Sequence, residues 1–230
     1  MDCFLPNHKE PSALSTALKV CCIASAEEAR LAVEAGASAL GLVSAMPSGP
    51  GVIAESLIAE VAASVPPGIE TFLLTSRIEG DAIAEQLEAC RPTTVQLVDA
   101  VPDSAYATLR RRCPAVKIVQ VVHVTGPESL AEAERASARA DALLLDSGRP
   151  DQTVKELGGT GRTHDWSLSR DIVAAVAKPV YLAGGIRPDN VRAAIDAVRP
   201  YGIDLCTGVR SEGRLDPVKL ERLVAAMRAA

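Results

Sequence analysis

The sequence predicts an α/β fold, a single (β/α)8 TIM barrel, on three observations. Eight apolar runs alternate with eight amphipathic segments along the 230-residue chain. The runs are continuously apolar rather than alternating, which marks parallel strands covered by helices on one face and by barrel interior on the other. No G-x-G-x-x-G opens the first helix, which removes the main argument for an open dinucleotide-binding sheet.

The units follow in order. Residues 1–16 show no period and are expected to form an N-terminal arm, with the barrel domain over 17–230. LKVCCIA at 18–24 reads as the first strand. The helix over 25–35 has Ser25 as its N-cap, Glu28 completing a capping box, and Gly36 as its stop. A strand at 39–44 leads through the loop AMPSGPGVI to a helix at 54–63, closed by Val65-Pro66-Pro67-Gly68. Further strands are expected at 69–75, 93–98, 116–124, 141–146, 179–183 and 202–206, with helices near 80–90, 103–112, 127–139, 167–177, 188–198 and 216–229.

Composition narrows the class of partner. The formal net charge is -5 with both signs interspersed, so no basic stripe for nucleic acid and no polybasic membrane patch is present. No apolar stretch reaches the roughly 18 residues of a membrane span, and MDCFLPNHKEPS lacks the basic-then-apolar order of a signal peptide. A cytoplasmic chain acting on a small molecule is expected. The six cysteines contain no C-x-x-C pair and only three histidines accompany them, which argues against zinc and against a disulfide framework.

Chemistry in such a barrel collects at the C-terminal strand ends. These ends carry Cys21 and Cys22, Ser44, Thr75, Gln96, His123, Asp146, Gly184 and Gly185, and Asp204 to Gly208. Asp146 opens the longest loop, SGRPDQTVKELGGTGRTHDW, which is too long and glycine-rich for a minimal connection. Side chains alternate along a strand, so only one of Cys21 and Cys22 is expected in the mouth. A thiol after strand 1 and a carboxyl group after strand 6 would leave a substrate-sized gap between them. Gly184-Gly185 after strand 7 and Thr207-Gly208 after strand 8 let backbone N–H groups approach an anion, the layout of a phosphate site.

Over nearly the whole chain from Lys19, the segments KVCCIAS, ALGLVSAMPSGPGVI, VQLV, LLLDSG, GGTGRTHDW, LAGGIRPDNV and GIDLCTGVRSEGRLD resemble the phosphoribosylanthranilate isomerase family of tryptophan biosynthesis. The resemblance implies Cys21 as general base and Asp146 as general acid of an Amadori rearrangement. It places phosphate-binding backbone at Gly159, Gly161, Gly184, Gly185 and Gly208, and Asp204 and Thr207 join them as substrate-binding candidates. It implies no cofactor and no metal, a phosphorylated sugar as partner, and a monomer or homodimer. Lys19 is a candidate charge beside the thiolate.

Three positions depart from the family pattern. Gly51 stands where the family usually has an arginine for the anthranilate carboxylate, Cys22 replaces a glycine after the catalytic cysteine, and Val98-Asp99 replaces histidine-glycine. All three fall at the aglycone end. Either Arg77, Arg149, Arg187 or Arg210 supplies the missing charge, or the chain is a paralogue acting on another N-linked phosphoribose; a phosphosugar-binding barrel without turnover is the remaining reading.

Overall fold

The computed structural model describes residues 14–148 and 164–228. Eight parallel strands pair in sequence order and close on themselves, β8 with β1. They are β1 (Ala17–Val20), β2 (Ala39–Val43), β3 (Glu70–Thr75), β4 (Thr94–Leu97), β5 (Lys117–His123), β6 (Ala142–Asp146), β7 (Val180–Leu182) and β8 (Gly202–Leu205). Between and after them run α1 (Ala26–Glu34), α2 (Glu55–Ser64), α3 (Gly80–Cys90), α4 (Asp103–Arg112), α5 (Glu128–Ser137), α6 (Trp166–Ala175), α7 (Val191–Val198) and α8 (Pro217–Arg228). No described helix is long and apolar enough to cross a membrane.

The two-residue period of each strand divides the core in two. Leu18, Val20, Leu40, Leu42, Leu73, Val95, Leu143 and Leu145 point outward into the layer beneath the helices. Cys21, Val43, Phe72, Leu74, Val121, Leu144, Tyr181 and Ala183 fill the interior. Each aliphatic side chain removed from water in this way contributes on the order of 1.5–3 kcal/mol. Phe72 and Tyr181 meet edge to face at 5.7 Å and form an interior floor. Above it, the Lys19 ammonium lies 5.1 Å from the Phe72 ring centre. The interior is therefore a packed column with a charged layer beneath the C-terminal rim.

Two local features differ from expectation. Strand β1 stops at Val20 because Cys22 takes the left-handed conformation, φ 63°, which breaks strand alternation. Cys21 and Cys22 consequently both face the mouth, correcting the expectation that only one could. After β8 the chain makes a 3₁₀ turn over Thr207–Val209 and a small hairpin, β9 (Arg210–Ser211) and β10 (Arg214–Leu215). Glu212 and Gly213, at φ 51° and 77°, are its turn residues, and two central positive φ values suit the right-handed strand twist.

The Ser25 cap forms, its Oγ accepting from Glu28 N at 3.1 Å. Glu28, however, accepts from Ala24 N (3.0 Å) and Leu215 N (2.9 Å) and pairs with Arg210. The capping carboxylate has been recruited to tie the hairpin to the start of α1.

Candidate active site

Lys19, Cys21 and Asp204 form the first corner. Lys19 and Asp204 are directly paired across β1 and β8, and Lys19 Nζ donates to Asp204 Oδ1 at 2.8 Å with the lysine side chain fully buried. Two residues on, just past the end of β1 and on the same interior side, lies Cys21. Burial alone would push the Lys19 ammonium down, but Asp204, then Cys21, raise it overall. The lysine is thus a fixed positive charge under the thiol.

Cys21 is itself held below the ordinary thiol range. The largest cause is a hydrogen bond from the Cys22 thiol, followed, against the opposing effect of burial, by the Lys19 charge. Cys22 is pushed strongly up by its contacts with the Cys206 and Cys21 thiols and by burial. Of the adjacent pair, Cys21 is the thiol biased toward thiolate and Cys22 the one biased toward keeping its proton.

Asp146 ends β6 beside His123, its register partner on β5. It is buried, and desolvation, with Asp204 nearby, raises its carboxyl above the ordinary value despite the Ser147 N–H donating to Oδ1 at 2.7 Å and the neighbouring His123 and Lys19. His123 Nε2 donates to the Val98 carbonyl at 3.1 Å, so this nitrogen carries the proton. The histidine serves as a rim residue bound to backbone.

One cavity joins these parts, enclosing about 720 Å³ including its open mouth. Its wall includes Cys21, Cys22, Asp146, Gly184, Gly185, Asp204 and Thr207, all but Cys22 assigned to the site from sequence. Gly184 and Gly185 turn at φ 82° and 64°. Asn190 secures that turn, donating from Nδ2 to Gly185 O at 3.0 Å and accepting Arg187 N on Oδ1 at 2.7 Å. Gly208 packs so closely on the Ile186 carbonyl that a Cβ there would lie 2.0 Å from its oxygen. The two glycine loops are thereby locked to each other. Gly159, Gly161 and Arg149 lie outside the described residues.

Ser44 and Thr75 are taken up by backbone, Ser44 Oγ donating to Leu74 O at 2.7 Å and Thr75 Oγ1 accepting from Arg77 N at 3.2 Å. Gln96 does line the cavity, with Oε1 buried and without a hydrogen-bond partner. Its place at the end of β4 was the available signal. His164 binds Ser169 Oγ through Nε2 at 2.6 Å and so joins the loop end to α6.

The candidate aglycone arginines that are described go elsewhere. Arg77 pairs with Glu55 at 2.8 Å and Arg187 with Asp189 at 3.1 Å, both exposed. Arg210 is buried against Glu28 and donates to the carbonyls of Cys21, Cys22 and Gly213. It clamps the end of β1 and holds the left-handed Cys22 in place, a role with no short-range signal in sequence. Among the described residues no arginine or lysine lines the cavity, and no group of metal-ligating side chains is placed to hold an ion.

A closed (β/α)8 barrel with a depressed thiol just past β1, a raised carboxyl group at the end of β6 and paired glycine turns after β7 and β8 is an arrangement suited to proton transfer on a phosphorylated sugar. The comparisons give the particular family. The model of the N-(5'-phosphoribosyl)anthranilate (PRA) isomerase family matches residues 18–226, and the chain belongs to that family of isomerases. Curated relatives named N-(5'-phosphoribosyl)anthranilate isomerase include one from Methanocella arvoryzae, 31% identical over 90% of this chain and 95% of its own. One from Methanosarcina mazei is 35% identical over 90% and 92%. The solved phosphoribosyl anthranilate isomerase of Thermotoga maritima, 26% identical, superposes with a TM-score of 0.79 over 94% of this chain and all of that one.

Proposed function

We infer that this chain converts N-(5-phosphoribosyl)anthranilate to the corresponding 1-deoxyribulose 5-phosphate, with Cys21 as general base and Asp146 as general acid. The observation that carries the reading is the opposite displacement of these two groups on one cavity wall: a thiol biased toward thiolate and a carboxyl group biased toward its acid form. Asp146 gives its proton to the furanose ring oxygen, and the C1′–O bond opens to a Schiff base. Cys21 thiolate takes the proton from C2′, and the enolamine relaxes to the ketone. The electron pairs shift only within the substrate, C1′ being reduced as C2′ is oxidised, and the protons pass between it and these two side chains, so the rearrangement needs no external oxidant or reductant.

Phosphate is assigned to the backbone of Gly184, Gly185, Thr207 and Gly208, with Gly159 and Gly161 from the long loop. Asp204, whose oxygen already accepts from Lys19, is better suited to fixing that ammonium than to meeting an anion. The partner is a phosphorylated sugar, and a cytoplasmic monomer or homodimer is the expected setting.

A second reading concerns only the aglycone, and the contact between Gly51 and Cys22 favours it. A Cβ at Gly51 would lie 2.5 Å from Cys22 Cβ, so position 51 carries no side chain toward the substrate. Under this reading the sugar chemistry is retained and the amine is other than anthranilate. Loss of fluorescence on adding freshly generated phosphoribosyl anthranilate tests both. Turnover reduced by on the order of 10²- to 10⁴-fold in Cys21→Ala and in Asp146→Asn supports the first reading. Phosphosugar binding without turnover by the folded parent supports the second.

A further inference from the structure

Cys21, Cys22 and Cys206 all line the same cavity; Cys21 and Cys22 are neighbours in the chain, and the Cys22 thiol donates to Pro50 O at 3.7 Å. Acid–base catalysis uses one thiol. The three sulfurs do not converge into a group placed to hold a metal ion. The remaining described cysteines, Cys90 and Cys113, sit apart from this cavity, and burial pushes both up, Cys90 to about 11.

We propose that Cys21 is a site of reversible oxidation by hydrogen peroxide, with Cys22 as the thiol that captures the oxidised sulfur. In the first step the Cys21 thiolate attacks one oxygen of the peroxide; the O–O bond breaks, sulfur loses two electrons, and hydroxide leaves. In the second, the Cys22 sulfur attacks Cys21–SOH; an S–S bond forms, the S–O bond breaks, and hydroxide departs as water with the Cys22 proton. Two electrons from an added dithiol reverse the sequence.

The arrangement favours the first step, and the second closes a strained ring between adjacent residues. Their Cα atoms, about 3.8 Å apart, are closer than the roughly 4.4–6.8 Å usual for a disulfide, so the bond formed is readily reduced. The cavity that admits a phosphosugar admits peroxide, and Lys19 stabilises the attacking thiolate. Cys22 is held protonated largely by its two sulfur neighbours; once Cys21 is a neutral sulfenic acid, the Cys21 charge no longer opposes release of that proton. Without a neighbour to capture it, a sulfenic acid proceeds to the irreversible sulfinic and sulfonic acids. The loss of activity that accompanies oxidation rests on Cys21 being the base, whereas the chemical change does not.

The test compares the full chain with Cys22→Gly and Cys206→Ser, all carrying Cys3→Ser. Glycine suits the φ of 63° at position 22, so the fold is retained. After graded hydrogen peroxide, intact mass and the tryptic peptide spanning 20–30, which holds both Cys21 and Cys22, are read before and after dithiothreitol. Activity is scored against each protein's own unoxidised value. The expected result is loss of two hydrogens within that peptide, reversed by dithiothreitol in the parent and in Cys206→Ser. In Cys22→Gly, Cys21 instead accumulates added oxygen that dithiothreitol does not remove. A Cys21–Cys206 cross-link, unmodified Cys21, or equal recovery in parent and Cys22→Gly overturns the proposal. Because mass is read separately from turnover, failure of the isomerase reading leaves these outcomes interpretable.

Discussion

Gly51 and Cys22 occupy one another's space: a Cβ at residue 51 would come within 2.5 Å of Cys22 Cβ and 3.0 Å of its Sγ. Both backbones are left-handed, at φ 82° and 63°. A residue other than glycine is placed in the unfavourable region at 22, and glycine stands at 51 where the side chain at 22 requires it. Side-chain space at the two positions is therefore shared. Gly51→Arg alone should destabilise the fold by at least about 1–3 kcal/mol, through overpacking together with φ strain. Cys22→Gly should relieve strain, and adding it to Gly51→Arg should recover much of the loss. Urea unfolding of the four proteins gives the coupling, and additive losses would refute the shared space. If the amine carries a carboxylate, the double variant should also lower KM for phosphoribosyl anthranilate more than either single change.

The charge layer beneath the thiol predicts the pH profile. With Cys21 as the proposed base and Asp146 as the proposed acid, kcat/KM should rise as Cys21, lowered from its ordinary 9.0, loses its proton and fall as Asp146, raised from 3.8, loses its own. Replacing Lys19 by Met together with Asp204 by Asn removes the charges as a pair and avoids an orphaned buried ion. In that variant, iodoacetamide labelling of Cys21 should require higher pH. An unchanged labelling profile would show that Cys22 alone poises the thiolate.

Much of this was legible in sequence because each signal was local. Eight apolar runs with Gly and Pro punctuation specify the barrel, and strand ends specify which residues share its mouth. What escaped depends on contacts distant in the chain or on a single dihedral. The left-handed turn at Cys22 follows a strand-like run, and it alone puts two cysteines on one wall. Glu28 begins as a helix-cap residue and ends in a pair with Arg210, 182 residues away.

That pair should be worth more than a surface ion pair. The Arg210 and Glu28 side chains are 7% and 13% exposed, and the guanidinium also serves the carbonyls of Cys21 and Cys22. Arg210→Met should cost less than the roughly 3–5 kcal/mol of a fully stranded buried charge, because Glu28 keeps its bonds from Ala24 N and Leu215 N. Combined with Glu28→Gln the loss should be smaller than the sum, as read from urea midpoints. Because the clamp fixes the end of β1, kcat should fall as well at temperatures where the variant is fully folded.

The lock between the glycine turns should separate binding from chemistry. Gly208→Ala would set a methyl 2.0 Å from Ile186 O and force the two loops apart. KM and the dissociation constant of a phosphosugar should both rise, whereas the Cys21 labelling profile should hold. Gly213→Ala is the control. Its Cβ meets nothing within 4 Å although φ is 77°, so it should cost about 1 kcal/mol of stability through backbone strain and leave phosphate affinity unaltered.

His164 makes the remaining prediction, for stability against pH. Burial lowers it from 6.5 to about 4, and the nearby Asp165 only partly offsets this. The unfolded chain therefore binds the proton more readily than the folded one between these values. Stability from this residue is complete above pH 6.5 and declines as pH falls toward about 4, by about 3 kcal/mol in all. His164→Gln keeps a hydrogen-bonding group for Ser169 but cannot titrate. Relative to the parent it should be less sensitive to acid across that interval, with urea midpoints at pH 7 and pH 4.5 supplying the comparison. Parallel declines in both proteins would mean that the imidazole gains solvent or a charged partner before it protonates.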